Sequence, residues 1–370
     1  LHIDADAFYC QVAYLTWPEK LAGVELLLVG GHPEKRGVVA SCSYAARKRG
    51  ARSAMPMATA LRLCPEAVAV PVPWANVRRK SREVAAVLRR FTERLEMVSV
   101  DEGYALLPES PEPLEEVARR IQQAVKEETR ITVSIGGGTS KLVAKLATSR
   151  AKPAGVYTVP EGGEYDFVGT HALGDLPYVG PAFLRDLEKR GISSIEAARR
   201  MELNTLTLWL GPARARYLWA SVRAVDRAEV STGDEPRKSI SSETTFERDL
   251  LDPDALGESL RELVADVGRS LRKIGYRART VTVKTRGSDF QDRQKNRTLP
   301  QAVETDAVIL GVAAELLAEL REARPGPVRL LGVGLSSLEG PGSWEQLTFV
   351  EIVPPLETDD DRRLHAAPGE

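Results

Sequence analysis

Two short stretches, "HIDADAF" at residues 2–8 and "VSVDEGY" at residues 98–104, end strand-forming runs in carboxylates, and no other feature narrows the possible folds as far. In the first, period-two alternation puts His2, Asp4 and Asp6 on one face and Leu1, Ile3 and Ala5 on the other. In the second, Asp101 and Glu102 stand side by side before Gly103. Alone, the second stretch reads as a solvated hairpin tip. Pairing the two strands changes that, because it brings Asp4 and Asp101 together, and like charges that close repel strongly in a low-dielectric site unless a cation neutralises them. Hard cations such as Mg2+ are held by one or two carboxylates plus substrate phosphates. The strand pair therefore reads as a site for two ions about 3.5–4 Å apart, one activating a nucleophilic oxygen and one steadying a leaving pyrophosphate. Strict alternation sends Glu102 to the face opposite Asp101, and Gly103, at the centre of a hairpin over 97–107, is expected to bend it back.

Around these strands the text alternates strand and helix. "VELLLVG" reads as a buried strand, and "VVASCSYAARKRG" runs from strand into a helix that ends at Gly50. Residues 75–95 read as a basic helix, and 114–128 as a helix with Leu114, Val117, Ala118, Ile121 and Val125 inward. "ITVSIGGG" is a strand, "TSKLVAKLATSR" a helix, and "GVYTV" closes an α/β unit near residue 160. Residues 164–229 turn to short helices. There "LGDLPYVGPAFLRDLEKRGI" reads either as a helix-hairpin-helix whose turn offers backbone N–H groups to a phosphate or as a plain helical turn. "VSTGDEPRK", residues 230–238, is a linker.

After it come strand (239–246), helix (253–274), strand (279–286), strand (297–303), helix (306–323) and strand (328–337), the β-α-β-β-α-β order of a ferredoxin-like domain. Leu256, Leu260, Leu263, Val264, Val267, Leu271 and Ile274 keep one apolar stripe along its first helix. In "RTVTVKTRG", Val281 and Val283 alternate with Thr280, Thr282 and Lys284, giving one apolar face and one polar, basic face suited to a phosphate backbone.

At 370 residues, 43% hydrophobic and 28% charged, the chain has room for two or three cores. No run reaches the ~18 apolar residues of a membrane span, and the start lacks the pattern of a signal peptide. Cys10, Cys42 and Cys64 form no CxxC pair, which argues against a disulfide framework or a zinc site and fits a reducing cytoplasm. His2, His32, His171 and His365 never fall at ligand or relay spacing. A net charge of −1 conceals strong segregation: residues 35–65 carry Lys35, Arg36, Arg47, Lys48, Arg49, Arg52 and Arg62 with no acid. Residues 269–297 carry ten lysines and arginines against Asp289 and Asp292, and the last twenty residues hold six acids. Two long stretches nearly free of acid suit a polyanion that touches several lobes, as nucleic acid would.

Taken in order, "IDADAFYCQV", "SYAARKRGARSAMP", "VSVDEGY", "SIGGGTSKLVAKLATSRAKPAGVY", "SSETTFERDL" and "VRLLGVGLSSL" resemble segments of the Y-family translesion DNA polymerases, of the bacterial DNA polymerase IV type. The resemblance runs to about residue 350. It implies an α/β (α+β) fold with a palm at 1–7 and 73–163, fingers at 8–72 and a helix-hairpin-helix thumb at 164–229. The linker at 230–238 then leads to a ferredoxin-like little finger domain at 239–350 and an acidic tail at 351–370. It makes Asp4, Asp101 and Glu102 the catalytic acids and the ligands of two Mg2+ ions, with the backbone carbonyl of Ala5 as a further ligand.

Tyr9 matches an aromatic gate that leaves no room for a 2′-hydroxyl. Ser41, Tyr44 and Arg47, expected on one helical face, and Lys152 of "AKPAG" would contact the triphosphate. Val38, Ala40 and Ala54 would form part of the roof over the nascent pair. The activity implied is low-fidelity, template-directed addition of deoxynucleotides to a primer end, achieved mostly by positioning and charge neutralisation. The implied partners are primer-template DNA, deoxynucleoside triphosphates and a sliding clamp engaged through Gln346, Leu347 and Phe349 of "WEQLTFV", a stretch that also reads as an ordinary final strand. A monomer is expected. Two positions depart from the family pattern: Ala13, where glutamate is usual, and Ser140, where asparagine is common. A catalytically inactive DNA-binding scaffold and a palm-fold nucleotidyl cyclase are the competing readings. The retained acids and Arg47 argue against the first, and the helical and basic lobes against the second.

Overall fold

The computed structural model describes residues 1–231 and 237–340. Most of the expected linker, the tail and the clamp-motif residues Gln346, Leu347 and Phe349 lie outside them. In chain order the first elements are β1 (His2–Ala5), α1 (Phe8–Thr16), β2 (Leu27–Gly30), β3 (Val39–Cys42), α2 (Tyr44–Lys48), α3 (Met57–Leu63) and β4 (Val68–Val70). Next come α4 (Trp74–Leu88), β5 (Arg94–Met97), β6 (Glu102–Leu106), α5 (Leu114–Thr129), β7 (Val133–Gly137), α6 (Lys141–Ala151) and β8 (Val156–Thr158). Five short helices come after these: α7 (Glu164–Gly169), α8 (Pro181–Glu188), α9 (Ile195–Arg199), α10 (Leu203–Leu210) and α11 (Pro212–Ser221). The last group is β9 (Ser239–Leu250), α12 (Pro253–Lys273), β10 (Arg277–Gly287), β11 (Asp292–Val303), α13 (Asp306–Ala323) and β12 (Val328–Glu339). The chain divides into two compact units, Leu1–Pro236 with Thr245–Arg248 and Arg237–Thr244 with Asp249–Glu370.

In the first unit a five-stranded sheet has the order β5-β6-β1-β7-β8, so the first acidic strand lies at its centre. Ile3 and Ala5 point from β1 into a core with Val77, Leu88, Ile121, Val125 and Ile135, and helices α4 and α5 cover that face. On the other face α6 presses onto β7. A side chain at Gly136 would run into the Ala144 carbonyl and the Thr148 backbone nitrogen, so only glycine permits this approach. A three-stranded sheet, β3-β2-β4, packs Leu28, Val39 and Cys42 against Ala46, Met57 and Ala60 of α2 and α3. The short helices α7–α11 gather round Leu173, Leu176, Leu187, Leu206 and Leu218, and the same core takes in Leu142 and Leu146 of α6. Within it Gly180 and Pro181 open α8, and Tyr178, in the turn before, has φ +63° and is 89% exposed.

The second unit has its strands in the order β11-β10-β12-β9. Every residue of the expected α12 stripe up to Leu271 is buried. Among the described residues no helix is long and apolar enough to cross a membrane, and Cys10, Cys42 and Cys64 are buried free thiols.

Several local expectations need correction. The helix read over 75–95 stops at Leu88, because Thr92 turns the chain: its hydroxyl accepts from Arg94 N at 3.0 Å and bonds the Leu106 carbonyl. The hairpin does not bend at Gly103. That residue sits mid-strand opposite Met97 and Ile3, and a side chain there would meet Met97 Sδ at 2.9 Å and Glu96 O at 3.0 Å. The turn lies instead at Val98–Asp101, closed by Val98 N and Ser99 N donating to Glu102 O. Strand β11 begins at Asp292 rather than 297, since a polar edge strand pairs through its backbone and needs no apolar alternation: Val283 faces Lys295 and Val281 faces Arg297.

Candidate active site

Strand β1 runs antiparallel to β6 with Asp4 directly opposite Glu102, so both carboxylates leave the sheet on the same face. Glu102 thus reaches that face by register, without the bend expected at Gly103. Asp101 belongs to the turn, not the strand, and is free of the alternation. Its carbonyl accepts from Ala5 N at 2.8 Å and its Oδ1 accepts from Ser99 Oγ at 2.6 Å, and its charge adds to the upward push on the Asp4 carboxyl.

Each strand carboxylate faces a lysine. Asp4 Oδ1 lies 2.7 Å from Lys152 Nζ, and Glu102 Oε1 bonds Lys145 Nζ and lies 2.9 Å from His2 Nε2. Burial raises the Asp4 carboxyl above its ordinary range against the pull of Lys152. The His2 hydrogen bond, with Lys145, holds Glu102 down to about 2 despite its burial. Burial lowers His2 as well, so the ring is neutral near pH 7 and Nε2–H donates to Glu102, while Nδ1 lies 2.8 Å from Thr148 Oγ1. Among the described residues no three of His, Cys, Asp and Glu converge on one point. The donor set nevertheless suits a hard cation: two half-buried carboxylates side by side, a third on the adjoining turn, and each strand carboxylate already drawing a cationic side chain.

Tyr9, in the first turn of α1, sets its ring edge-on to Trp74 at 5.9 Å. Ser41 is not on a helical face with Tyr44 and Arg47. It lies in β3, buried beside Cys10 Sγ at 3.8 Å, because the helix starts only after Ser43, whose hydroxyl caps it by accepting from Ala46 N at 3.3 Å. Tyr44 and Arg47 do share a face, with the guanidinium carbon 5.1 Å from the ring centroid. Arg47 Nε donates to the Cys42 carbonyl at 3.2 Å. Burial and a 2.8 Å bond to Asp6 Oδ1 hold the Tyr44 phenol above its ordinary range. Lys152 closes α6 and reaches Asp4. Of the roof residues, Val38 is exposed, Ala40 is partly exposed, and Ala54 adopts φ +66°.

A family model described as the impB/mucB/samB family matches residues 3–149, and the model of that family's C-terminal domain matches residues 237–349. The DNA polymerase IV of Exiguobacterium sibiricum is 36% identical over 355 residues, covering 95% of this chain and 97% of the relative. That of Halorhodospira halophila is 38% identical over 352 residues, covering 94% and 97%. The chain belongs to the impB/mucB/samB family, the Y-family of DNA polymerases. A Y-family polymerase chimera, Dbh-Dpo4(243-245)-Dbh, superposes with a TM-score of 0.83 at 25% identity, covering 92% of this chain and 98% of the chimera. DinB from Sulfolobus solfataricus, at 24% identity with coverage of 90% and 97% and a TM-score of 0.59, shares the fold.

Both departures from the Y-family pattern have local explanations. Ser140 caps α6 by accepting from Val143 N at 3.3 Å, a task asparagine does equally well. Ala13 is fully buried with Leu27, Val29 and Val70. Three residues given no role from sequence stand in the site: His2, Lys145 and Asp6. The two polar residues flanking Asp4 on its face were the available signal for His2 and Asp6. Lys145 had none, because its place depends on how α6 docks at Gly136.

Proposed function

We infer that Asp4, Asp101 and Glu102 carry nucleotidyl transfer in this chain, which is a DNA-directed DNA polymerase of the translesion class. The observation that supports this most is the register that sets Asp4 against Glu102 at the centre of the sheet with Asp101 on the adjoining turn. We assign the palm to residues 1–7 and 73–163, the fingers to 8–72, the thumb to 164–229 and the little finger domain to 239–350.

Y-family polymerases need divalent ions, and we propose two Mg2+ held by the three carboxylates and the Ala5 carbonyl. When bound, such ions lower the charge on the reacting oxygens and on the pyrophosphate. The remaining work falls to the chain. Arg47 and Tyr44 take the triphosphate from the fingers side, and Arg47 offers it forked donors. Lys152 exchanges Asp4 for a phosphate oxygen. Ser41, buried in β3 beside Cys10, is the third residue we assign to the triphosphate. The Tyr9 ring, braced by Trp74, lies against the sugar and excludes a 2′-hydroxyl. Val38, Ala40 and Ala54 leave a shallow roof over the nascent pair, which suits damaged templates.

We also propose a cytoplasmic monomer that engages a sliding clamp through Gln346, Leu347 and Phe349. Co-elution with the clamp, lost in Phe349→Ala, tests the last point. Neither the inactive scaffold nor the cyclase is favoured. The deciding experiment is primer extension with Mg2+ and four deoxynucleotides: wild type extends, and Asp101→Ala loses about a hundred- to a thousandfold in rate, a typical cost for a missing electrostatic partner of the transition state. Undiminished extension by Asp101→Ala would overturn the assignment.

A further inference from the structure

We propose that Asp6 is a positioning residue for the incoming nucleotide, tying Tyr44 and the Lys152 turn to the central sheet without serving as a metal ligand. The proposal rests on nucleotidyl transfer being the function of this site.

Asp6 stands two residues after Asp4, and a D-x-D run on one strand invites reading both as ligands. The structure separates them. Strand β1 ends at Ala5, and Ala7 turns the chain with φ +42° into α1. Asp6 is thereby drawn inside and is 5% exposed. Its Oδ1 accepts from Tyr44 OH at 2.8 Å and from Ser134 Oγ at 2.9 Å. Its Oδ2 accepts from Ala154 N at 3.0 Å and lies 3.1 Å from the same Ser134 hydroxyl. The backbone is pinned too, since Asp6 N donates to Thr132 O at 3.0 Å, and Gln11 Nε2 bonds both the Asp6 and Thr132 carbonyls.

A buried carboxylate supplied this fully by neutral donors has its charge solvated by the protein and needs no cation. Asp4, by contrast, has a lysine. What the three donors have in common is where they lead. Tyr44 opens the helix that carries Arg47, Ser134 belongs to β7, and Ala154 holds the turn two residues beyond Lys152 in a left-handed conformation, φ +53°, that an alanine adopts only when its surroundings impose it. One side chain thus fixes both groups proposed to meet the triphosphate against the strand next to the carboxylates.

Asp6→Asn keeps the shape, but its amide NH2 must face one of the former donors. With a dideoxy-terminated primer, so that no turnover occurs, the Kd for the correct deoxynucleotide should rise about tenfold in Asp6→Asn and by a similar factor in Tyr44→Phe. The double variant should be no weaker than the weaker single, the signature of two residues acting as a unit. In primer extension, Asp6→Asn should raise KM far more than it lowers kcat and leave the Mg2+ dependence where it is in wild type. Fully additive Kd effects, an unchanged Kd in Tyr44→Phe, or an Asp6→Asn variant that needs several times more Mg2+ would each overturn the proposal. Tyr44→Phe removes a single hydroxyl, so an unchanged Kd in that variant overturns the proposal even if Asp6→Asn fails to fold. An Asp101→Ala variant that still extends primers sinks the functional assignment itself; one that is inactive, beside an Asp6→Asn with unchanged nucleotide affinity, sinks this inference alone.

Discussion

The carboxylates of the five-stranded sheet and those of the four-stranded sheet in the second unit all face cations, yet the two sets are built for different ends. In the first, Asp4 with Lys152 and Glu102 with Lys145 sit half-buried in one cluster, and the acids keep their place because the backbone register holds them. In the second, Arg286 with Asp292 and Lys284 with Glu243 on the strands, and Arg297 of β11 with Glu315 and Glu319 of α13, lie dispersed at the surface. A partly dry cluster concentrates charge where a reaction can use it. A wet, dispersed set trims a basic surface and is screened by salt.

That contrast is broken most directly at Asp4. Asp4→Asn leaves Lys152 without its counter-charge and the proposed ions without a ligand, and single-turnover insertion should slow by about a thousandfold or more. Glu102→Gln keeps its contacts with His2 and Lys145 in part and should cost less, about a hundredfold. If both variants insert nucleotides at near wild-type rates, the cluster is an ordinary ion-pair network like those of the second unit.

The two regions also differ in how much of them is legible in the sequence. The α12 stripe and the strand-helix order of the second unit are readable because each depends on local periodicity alone. The acidic strands are readable for the same reason, down to the face that His2 and Asp4 share. Periodicity gives out where the chain leaves regular structure. It does not separate Asp6 from Asp4, since the strand stops between them and the turn at Ala7 redirects the chain into α1. Ser41 reads as helical because its three-residue spacing from Tyr44 and Arg47 has helical period, whereas the Ser43 cap starts that helix later. Gly103 reads as a bend because glycine serves turns and close approaches alike, and only the packing of Met97 tells which.

A smaller effect sharpens the functional side of the comparison. Tyr9 owes its place to Trp74 rather than to any charge. Tyr9→Ala should therefore leave deoxynucleotide insertion within about tenfold of wild type while raising ribonucleotide insertion by roughly a hundredfold, the order set by losing a steric clash of a few kcal/mol. Competition between the two sugars at one template base measures it. Unchanged discrimination would remove the ring from the site.

Smaller again are the changes expected in the second unit. Lys284 is bonded to Glu243 at 3.2 Å and lies 3.5 Å from Asp292, so its charge is only partly available to a phosphate. Glu243→Gln should therefore tighten primer-template binding by two- to threefold at low salt, and Lys284→Ala should weaken it and lower the slope of log Kd against log salt by about one. Binding titrations at several salt concentrations separate these outcomes from a purely structural role, which would change affinity without changing the slope.

The least effect is expected on acidification. The bond from Arg286 holds Asp292 down to about 2, below the ordinary value of 3.8. A carboxylate depressed on folding contributes stability that is complete above 3.8 and is lost as pH falls through about 2. Because both partners are substantially exposed, the pair is worth less than about 1 kcal/mol, well short of what the shift alone suggests. Asp292→Asn should therefore lower the melting temperature of the full chain slightly at pH 5 and by still less near pH 2, where part of the wild-type side chain is protonated, and 1 M salt should erase the difference at pH 5. A loss of several kcal/mol that persists in high salt would show that the second unit guards its ion pairs as the first does, and the distinction between a charged reaction centre and a trimmed surface would fall.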